Sequence, residues 1–132
     1  MRVFFDTNVL VSVFIARGLC YDLFREVVSK QEVVLGEVVL TELRRVLRER
    51  FRMTVDKIGR VENLLLANEI APKPVRHLHV GLKDRDDEWV IASAVAAKAD
   101  CLVTGDAELL ALKRPPIRIV SPRQLWEILR AH

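Results

Sequence analysis

Cysteine is nearly missing from this 132-residue chain, with only Cys20 and Cys101 present. Two thiols so far apart exclude a zinc knuckle and a disulfide framework, and are expected as buried free thiols. Histidine is scarce as well. His77 and His79 would share one face of a strand, but no third ligand follows, so a solvated strand edge is expected. No apolar run approaches the ~20 residues needed to span a bilayer. Nor is there a leader-like basic segment followed by an apolar one, because Asp6 interrupts the run Val3-Phe4-Phe5. A cytoplasmic protein without membrane attachment is the expectation. Internal repeats, low-complexity tracts and dividing linkers are missing too, so residues 1–132 read as a single domain. Scarce Gln, Asn, Met and Cys beside abundant Arg lean weakly towards a thermophile.

What is present has the profile of an ordinary globular domain: 51% of residues are hydrophobic and 30% charged. A net charge of +3 permits a nucleic-acid partner without demanding one. The placement of charge is more informative than its sum. Arg44, Arg45, Arg48, Arg50 and Arg52 crowd one segment, and Asp84, Asp86, Asp87 and Glu88 crowd another.

Apolar spacing predicts strands alternating with helices, hence a parallel sheet between helical layers. A first strand, Val3 to Phe5, leads into a helix that Thr7 can cap and that stops near Gly18. An amphipathic stretch runs from Tyr21 to Ser29, and Val33-Val34-Leu35 is a short buried strand. The next helix carries the stripe Val39, Leu43, Val46 and Leu47. Thr54 to Ile70 reads as helix, followed by a weak strand around Val75, a loop over 81–85 and an apolar helix from Trp89 to Lys98. Cys101 to Val103 is a strand, residues 106–112 a short helix and Ile117 to Val120 a strand. Ser121-Pro122 opens a final helix, with proline in its favoured first turn. Trp89 and Trp126 fall on helices and are assigned to the core.

Two of these strands end in aspartates, Asp6 and Asp106. Ligands of open parallel sheets bind beyond the carboxyl ends of the strands, which is where those acids would stand. Glu42 borders the apolar stripe of its helix, where pairing with Arg45 at i+3 is the plain alternative. Asp87 opens an apolar helix, and helix-dipole stabilisation explains one or two acids there. It does not explain Asp84, Asp86, Asp87 and Glu88 together. If Asp6, Glu42, Asp87 and Asp106 converge, their repulsion raises some pKa values unless a cation relieves it. Ligation by carboxylates alone selects Mg²⁺ or Mn²⁺ over zinc, and such a site suits phosphodiester hydrolysis. Thr7, Asn8 and Thr104 are short polar side chains placed to orient those carboxylates, with cap and turn chemistry as their alternative use.

These residues resemble the PIN-domain nucleases, and among them the VapC-like toxins of prokaryotic toxin–antitoxin pairs. The resemblance spans essentially the whole chain: Asp6-Thr7-Asn8-Val9-Leu10, Glu42-Leu43, Asp84-x-Asp86-Asp87 with Ile91-Ala92-Ser93-Ala94, Val103-Thr104-Gly105-Asp106, and Ile117 to Arg123. It implies a three-layer α/β/α fold with a central parallel sheet of four to five strands. It also implies a ribonuclease dependent on Mg²⁺ or Mn²⁺, an antitoxin partner and frequent homodimerisation. Asp6, Glu42, Asp87 and Asp106 carry over as the acidic quartet, with Asp84 or Asp86 able to share metal binding. Arg44, Arg45, Arg48 and Arg52 are candidate contacts to RNA or a partner.

Two other classes share the fold size. A haloacid-dehalogenase-like phosphatase needs a second aspartate where Asn8 stands, and a response receiver needs a lysine where Ser121-Pro122 stand. A non-catalytic RNA- or protein-binding module would leave the quartet without a purpose. The two N-terminal helices, with Phe14, Ile15, Leu19, Leu23 and Phe24, are expected to leave apolar surface for a partner.

Overall fold

The computed structural model describes residues 1–76 and 79–131. The described chain alternates strand and helix: β1 (Arg2–Phe5), α1 (Thr7–Ile15), α2 (Leu19–Lys30), β2 (Glu32–Gly36), α3 (Glu37–Glu49), α4 (Val55–Leu65) and β3 (Glu69–Ala71). It continues with α5 (Arg85–Ala96), β4 (Cys101–Val103), α6 (Ala107–Leu110), β5 (Arg118–Val120) and α7 (Pro122–Arg130). All strand pairings are parallel, in the order β3-β2-β1-β4-β5. The chain first builds outward from β1 through β2 to β3, then crosses back to β4 on the other flank. Right-handed crossovers running in opposite directions put helices on both faces, giving three layers.

The centre of the sheet is apolar on both faces. Val3, Phe4, Phe5, Val34, Leu35, Leu102 and Val103 are fully buried, as a sheet covered on both sides requires. Phe5 meets Phe24 edge-on at 5.2 Å between centroids, and Phe14 lies against Phe24 at 6.5 Å. That aromatic cluster consumes most of the apolar surface expected to await a partner. Leu23 is fully buried, Phe14, Leu19 and Phe24 are half-buried, and Ile15 alone of the five is exposed.

Three expectations need correction. The helix expected to run to Ile70 ends at Leu65, and the strand expected near Val75 is β3, at Glu69–Ala71. A turn in which Asn68 N donates to Leu65 O breaks the helix, and parallel pairing with β2 recruits the next three residues. Val75 is instead 99% exposed. The cap of α1 is Asp6 rather than Thr7, so Thr7 is the first helical residue. Finally, α5 begins four residues before Trp89, with Asp84 as its cap, which places Asp86, Asp87 and Glu88 inside the first turn. Both cysteines are free thiols, and the Cys101 thiol is buried. No described helix is long and apolar enough to cross a membrane. Of the histidine pair, His77 lies outside the described residues, and His79 is exposed.

The approach of α5 to the end of β2 sets the closest packing. A side chain at Gly36 would meet Ser93 Oγ at 2.6 Å and the Phe4 ring at 2.8 Å. Gly36 is required by space rather than by its backbone angle, which is ordinary (φ −110°). The Ser93 hydroxyl is fully buried and has no hydrogen-bond partner among the described residues. Gly36→Ala is therefore expected to cost about 1–3 kcal/mol by overpacking. Ser93→Ala alone should be neutral or slightly stabilising, since it removes an unsatisfied group. In the double variant the cost of Gly36→Ala should shrink but not vanish, because the Phe4 ring remains. Thermal or denaturant unfolding of the four proteins tests this coupling; additive effects would rule it out.

Candidate active site at the carboxyl end of the sheet

Between β1 and β4 the chain direction through the sheet reverses, and the loops leaving those two strands diverge. Asp6 follows β1 directly, with its backbone N donating to Val103 O at 3.0 Å, so it stands in that crevice. Its side chain is only 5% exposed. Oδ1 accepts from Thr7 N at 2.7 Å, and Oδ2 accepts from the Thr104 hydroxyl at 2.7 Å and more distantly from Asn8 Nδ2 at 3.4 Å. Thr104 Oγ1 in turn accepts from Asp106 N at 3.0 Å, and Asn8 Oδ1 accepts from Gly105 N at 3.0 Å. The Asn8 and Thr104 side chains, with the Thr7 N–H, thus stitch the two strand ends together around one carboxylate.

Asp106 caps α6, its Oδ1 accepting from Glu108 N at 2.8 Å and Leu109 N at 3.2 Å. Glu42, on α3, and Asp87, in the first turn of α5, are both half-buried. The remaining acids divide by task. Asp84 caps α5 by accepting from Asp86 N at 2.8 Å. Glu88 turns away into the protein and accepts from Val80 N at 2.7 Å, while Glu108 accepts from Lys83 N at 3.2 Å. Those two glutamates anchor the loop before α5, and Asp86 and Asp87 are the acids left to face outward. The Glu88 contact was not legible in the sequence, where it counted as one more charge in a run.

The electrostatics show that the four sites share one region. Burial pushes the Asp6 carboxyl above its ordinary range; the bonds from Thr104 and Thr7 oppose this and the charge of Asp106 adds to it. Burial likewise raises Glu42, followed by the charge of Asp6; the Thr7 hydroxyl and Arg45 oppose, and Asp86 adds to the rise. Asp87 is pushed up to about 7, first by burial, then by the charges of Asp84, Asp106, Asp6 and Glu42. The Thr7 hydroxyl lies near enough to Glu42 to favour its charged form. It is nonetheless buried without a hydrogen-bond partner among the described residues. No three His, Cys, Asp or Glu side chains among the described residues are gathered tightly enough to hold one ion as the site stands.

Beside the acids, a cleft of about 510 Å³ runs between α3 and α5. Glu42 and Asp86 line it together with Arg44, Arg45, Arg48, Lys73 and Trp89. Two of these were missed by sequence reasoning. Lys73 carried no signal at all, and Trp89, assigned to the core by its helix, is half-buried in the cleft wall. Arg52 lies outside the cleft, one residue past the turn that ends α3, with a left-handed backbone (φ 49°). Trp126 is half-buried on α7, with Arg130 over its ring at 4.1 Å.

Residues 2–108 match the model of a family described as PIN domain. Similar solved structures include VapBC2 from Rickettsia felis bound to a promoter DNA fragment, at 16% identity and a TM-score of 0.69, covering 92% of this chain and 98% of that one. VapBC-1 from nontypeable Haemophilus influenzae gives 18% identity and a TM-score of 0.68, covering 93% and 99%. Mycobacterium tuberculosis VapC20, a toxin that cleaves the sarcin–ricin loop, gives 13% and 0.61, covering 88% and 98%. At these identities the likeness establishes the fold. No curated relative matches the sequence.

A carboxyl that titrates near 7 when folded and near 3.9 when unfolded holds its proton more tightly in the folded state. The folded protein then binds more protons than the unfolded one between those values, so stability falls as pH rises from about 4 to 7. The metal-free protein should melt higher at pH 5 than at pH 8. Asp87→Asn should raise the melting temperature at pH 8, raise it less at pH 5 and flatten the dependence. Melting curves in chelator at both pH values check this; a slope unchanged by the substitution would separate Asp87 from the other acids.

Proposed function

The chain belongs to the PIN domain family, and from that membership and its acidic pole we propose that it is an endoribonuclease dependent on Mg²⁺ or Mn²⁺. The observation that carries this reading is the convergence on Asp87: one carboxyl feels the charges of Asp6, Glu42, Asp84 and Asp106. Four acids from four separated segments stand at the carboxyl end of the sheet, with Arg45 opposing the rise at Glu42.

The donors fit a hard divalent ion. They are carboxylates without thiolate or imidazole, and the unpartnered buried hydroxyl of Thr7 stands among them. Asp6, Glu42 and Asp87 would hold the ion. When bound, it supplies Lewis-acid activation of water and neutralises charge at the phosphoryl group.

The chain's own residues do the positioning. Thr104 and the Thr7 N–H fix both oxygens of Asp6, so its direction is set before any ligand arrives. Asn8 keeps the β4–α6 turn against α1 by holding Gly105 N. Asp106, with Oδ1 engaged at the start of α6, retains Oδ2 to orient the attacking water or take part in a second ion's site. Asp84 and Asp86 flank these acids, Asp84 nearer Asp87 and Asp86 nearer Glu42, as their effects on those two groups indicate.

We place the chain as the toxin of a toxin–antitoxin pair acting in the cytoplasm, restrained by an antitoxin and able to form a homodimer. The likeness of its fold to toxin–antitoxin complexes supports this assignment.

Purified protein should cleave single-stranded or looped RNA with Mg²⁺ or Mn²⁺ and not in excess chelator. Asp6→Asn keeps an acceptor for the Thr7 N–H while removing charge, so cleavage should drop by about 10²-fold or more with the fold retained. Circular dichroism and melting report the fold, and a gel assay reports cleavage. Full activity in chelator would end the metal mechanism.

A further inference from the structure

The cleft beside the acids has an uneven wall. Of its three arginines, Arg44 is already engaged by both carboxylate oxygens of Glu62. Arg45 and Arg48 make only long contacts, each 3.6 Å, to the exposed Glu49. Ion pairs of that kind are weak and screened, which leaves both guanidinium groups available to an anion. Across from them, Lys73 Nζ lies 4.5 Å from the centre of the Trp89 ring. The cleft therefore holds three usable cations and an aromatic face, and its inner end opens onto Glu42 and Asp86. On the opposite flank of the acids, the β4–α6 segment adjoining Asp106 offers Gly105, Ala107 and Glu108, and Lys83 is docked on it with its backbone N donating to Glu108.

We propose that this cleft is the substrate-gripping site, and that it holds a single RNA strand on the α3–α5 side of the phosphodiester to be cut. The proposal rests on the nuclease reading above and adds where the strand runs. Arg45, Arg48 and Lys73 meet successive phosphates, while an unstacked base lies on the indole of Trp89. Lys73 now covers that indole through an exposed cation–π contact, a weak one. A phosphate draws the ammonium off, and a base takes its place on that face of the ring, the pairing of backbone charge with aromatic stacking seen in single-strand binding generally. A cleft of about 510 Å³ has room for a nucleotide or two and none for a duplex. Arg45 also lowers the pKa of Glu42, so it couples the cleft to the acids and is not a clean probe. Arg48 and Lys73 are clean.

The test is equilibrium binding of a labelled single-stranded RNA oligomer to the full chain, in chelator so that no cleavage intervenes, across a series of salt concentrations. Arg48→Ala and Lys73→Ala should each weaken binding and reduce the steepness of the log–log salt dependence by about 0.7, the value for one phosphate contact on a single strand. Arg118→Ala, on the far edge strand, should bind like the parent. In a Trp126→Phe protein, where Trp89 is the sole indole, the RNA should quench tryptophan emission. Parental affinity and salt slope in both cleft variants, or unquenched emission on saturation, would overturn the proposal. So would a polyglutamate peptide that binds as tightly with the same dependence on Arg48 and Lys73, since the cleft would then be a site for acidic protein. If binding shows these dependences but no RNA is ever cut, the nuclease reading fails and the cleft stands. If RNA is cut while both variants bind like the parent, the cleft fails and the nuclease reading stands.

Discussion

A single buried carboxylate, that of Asp6, governs the arrangement around it. A charge so enclosed is costly unless its oxygens are satisfied, and here both are, by the Thr7 N–H and the Thr104 hydroxyl. The two donors come from opposite sides of the crevice, one at the start of α1 and one at the end of β4. Satisfying Asp6 thus fixes the distance between the strands at the point where the topology reverses. The same threonine accepts from Asp106 N, so the second acid inherits its position from the first. A valine at 104 would fill the space and lose the register of both acids.

The two ends of the sheet treat charge in opposite ways. At the amino end, Arg2 binds Glu69 through two nitrogens, at 2.9 and 2.7 Å, reaches Glu32 at 3.0 Å and donates to Ala97 O at 2.7 Å. The starts of β1, β2 and β3 are thereby tied by one ion-paired cluster, and the Glu69 carboxyl sits below its ordinary range because of Arg2. At the carboxyl end, Asp6, Glu42 and Asp87 sit above theirs. A protein selected for stability alone would treat both ends like the first. The asymmetry agrees with the chemistry proposed for the carboxyl end.

Much of this was legible in the sequence because the determinants are local. Strand runs that end in Asp6 and in Thr104-Gly105-Asp106 announce both the sheet and its acidic end. The Ser121-Pro122 cap predicts where α7 starts, and the structure adds the reciprocal bonds between Ser121 and Gln124. What failed was decided at long range. Glu69-Ile70-Ala71 has no strand character of its own and becomes one because β2 offers a free edge. The start of α5 is the local exception: Asp87 was read as opening the helix and its regular run was set at Trp89, whereas Asp84 accepts from Asp86 N and starts it at Arg85. Lys73 and Trp89 share no motif; only the crossing of α3 and α5 brings them to one wall. Periodicity could place Trp89 on a buried face but could not say that the face borders a cleft.

Both outer strands, β3 and β5, are three residues long, and each begins with a charged side chain, Glu69 and Arg118. Such margins present too few unpaired amides to template another strand. The sheet is consequently closed to growth: a second chain, native or misfolded, finds no ribbon to extend. Any symmetric association of two copies must be built from helical surfaces, with side-chain complementarity rather than backbone ladders setting its geometry. A subunit of this kind can be exchanged between partners without its central sheet being touched.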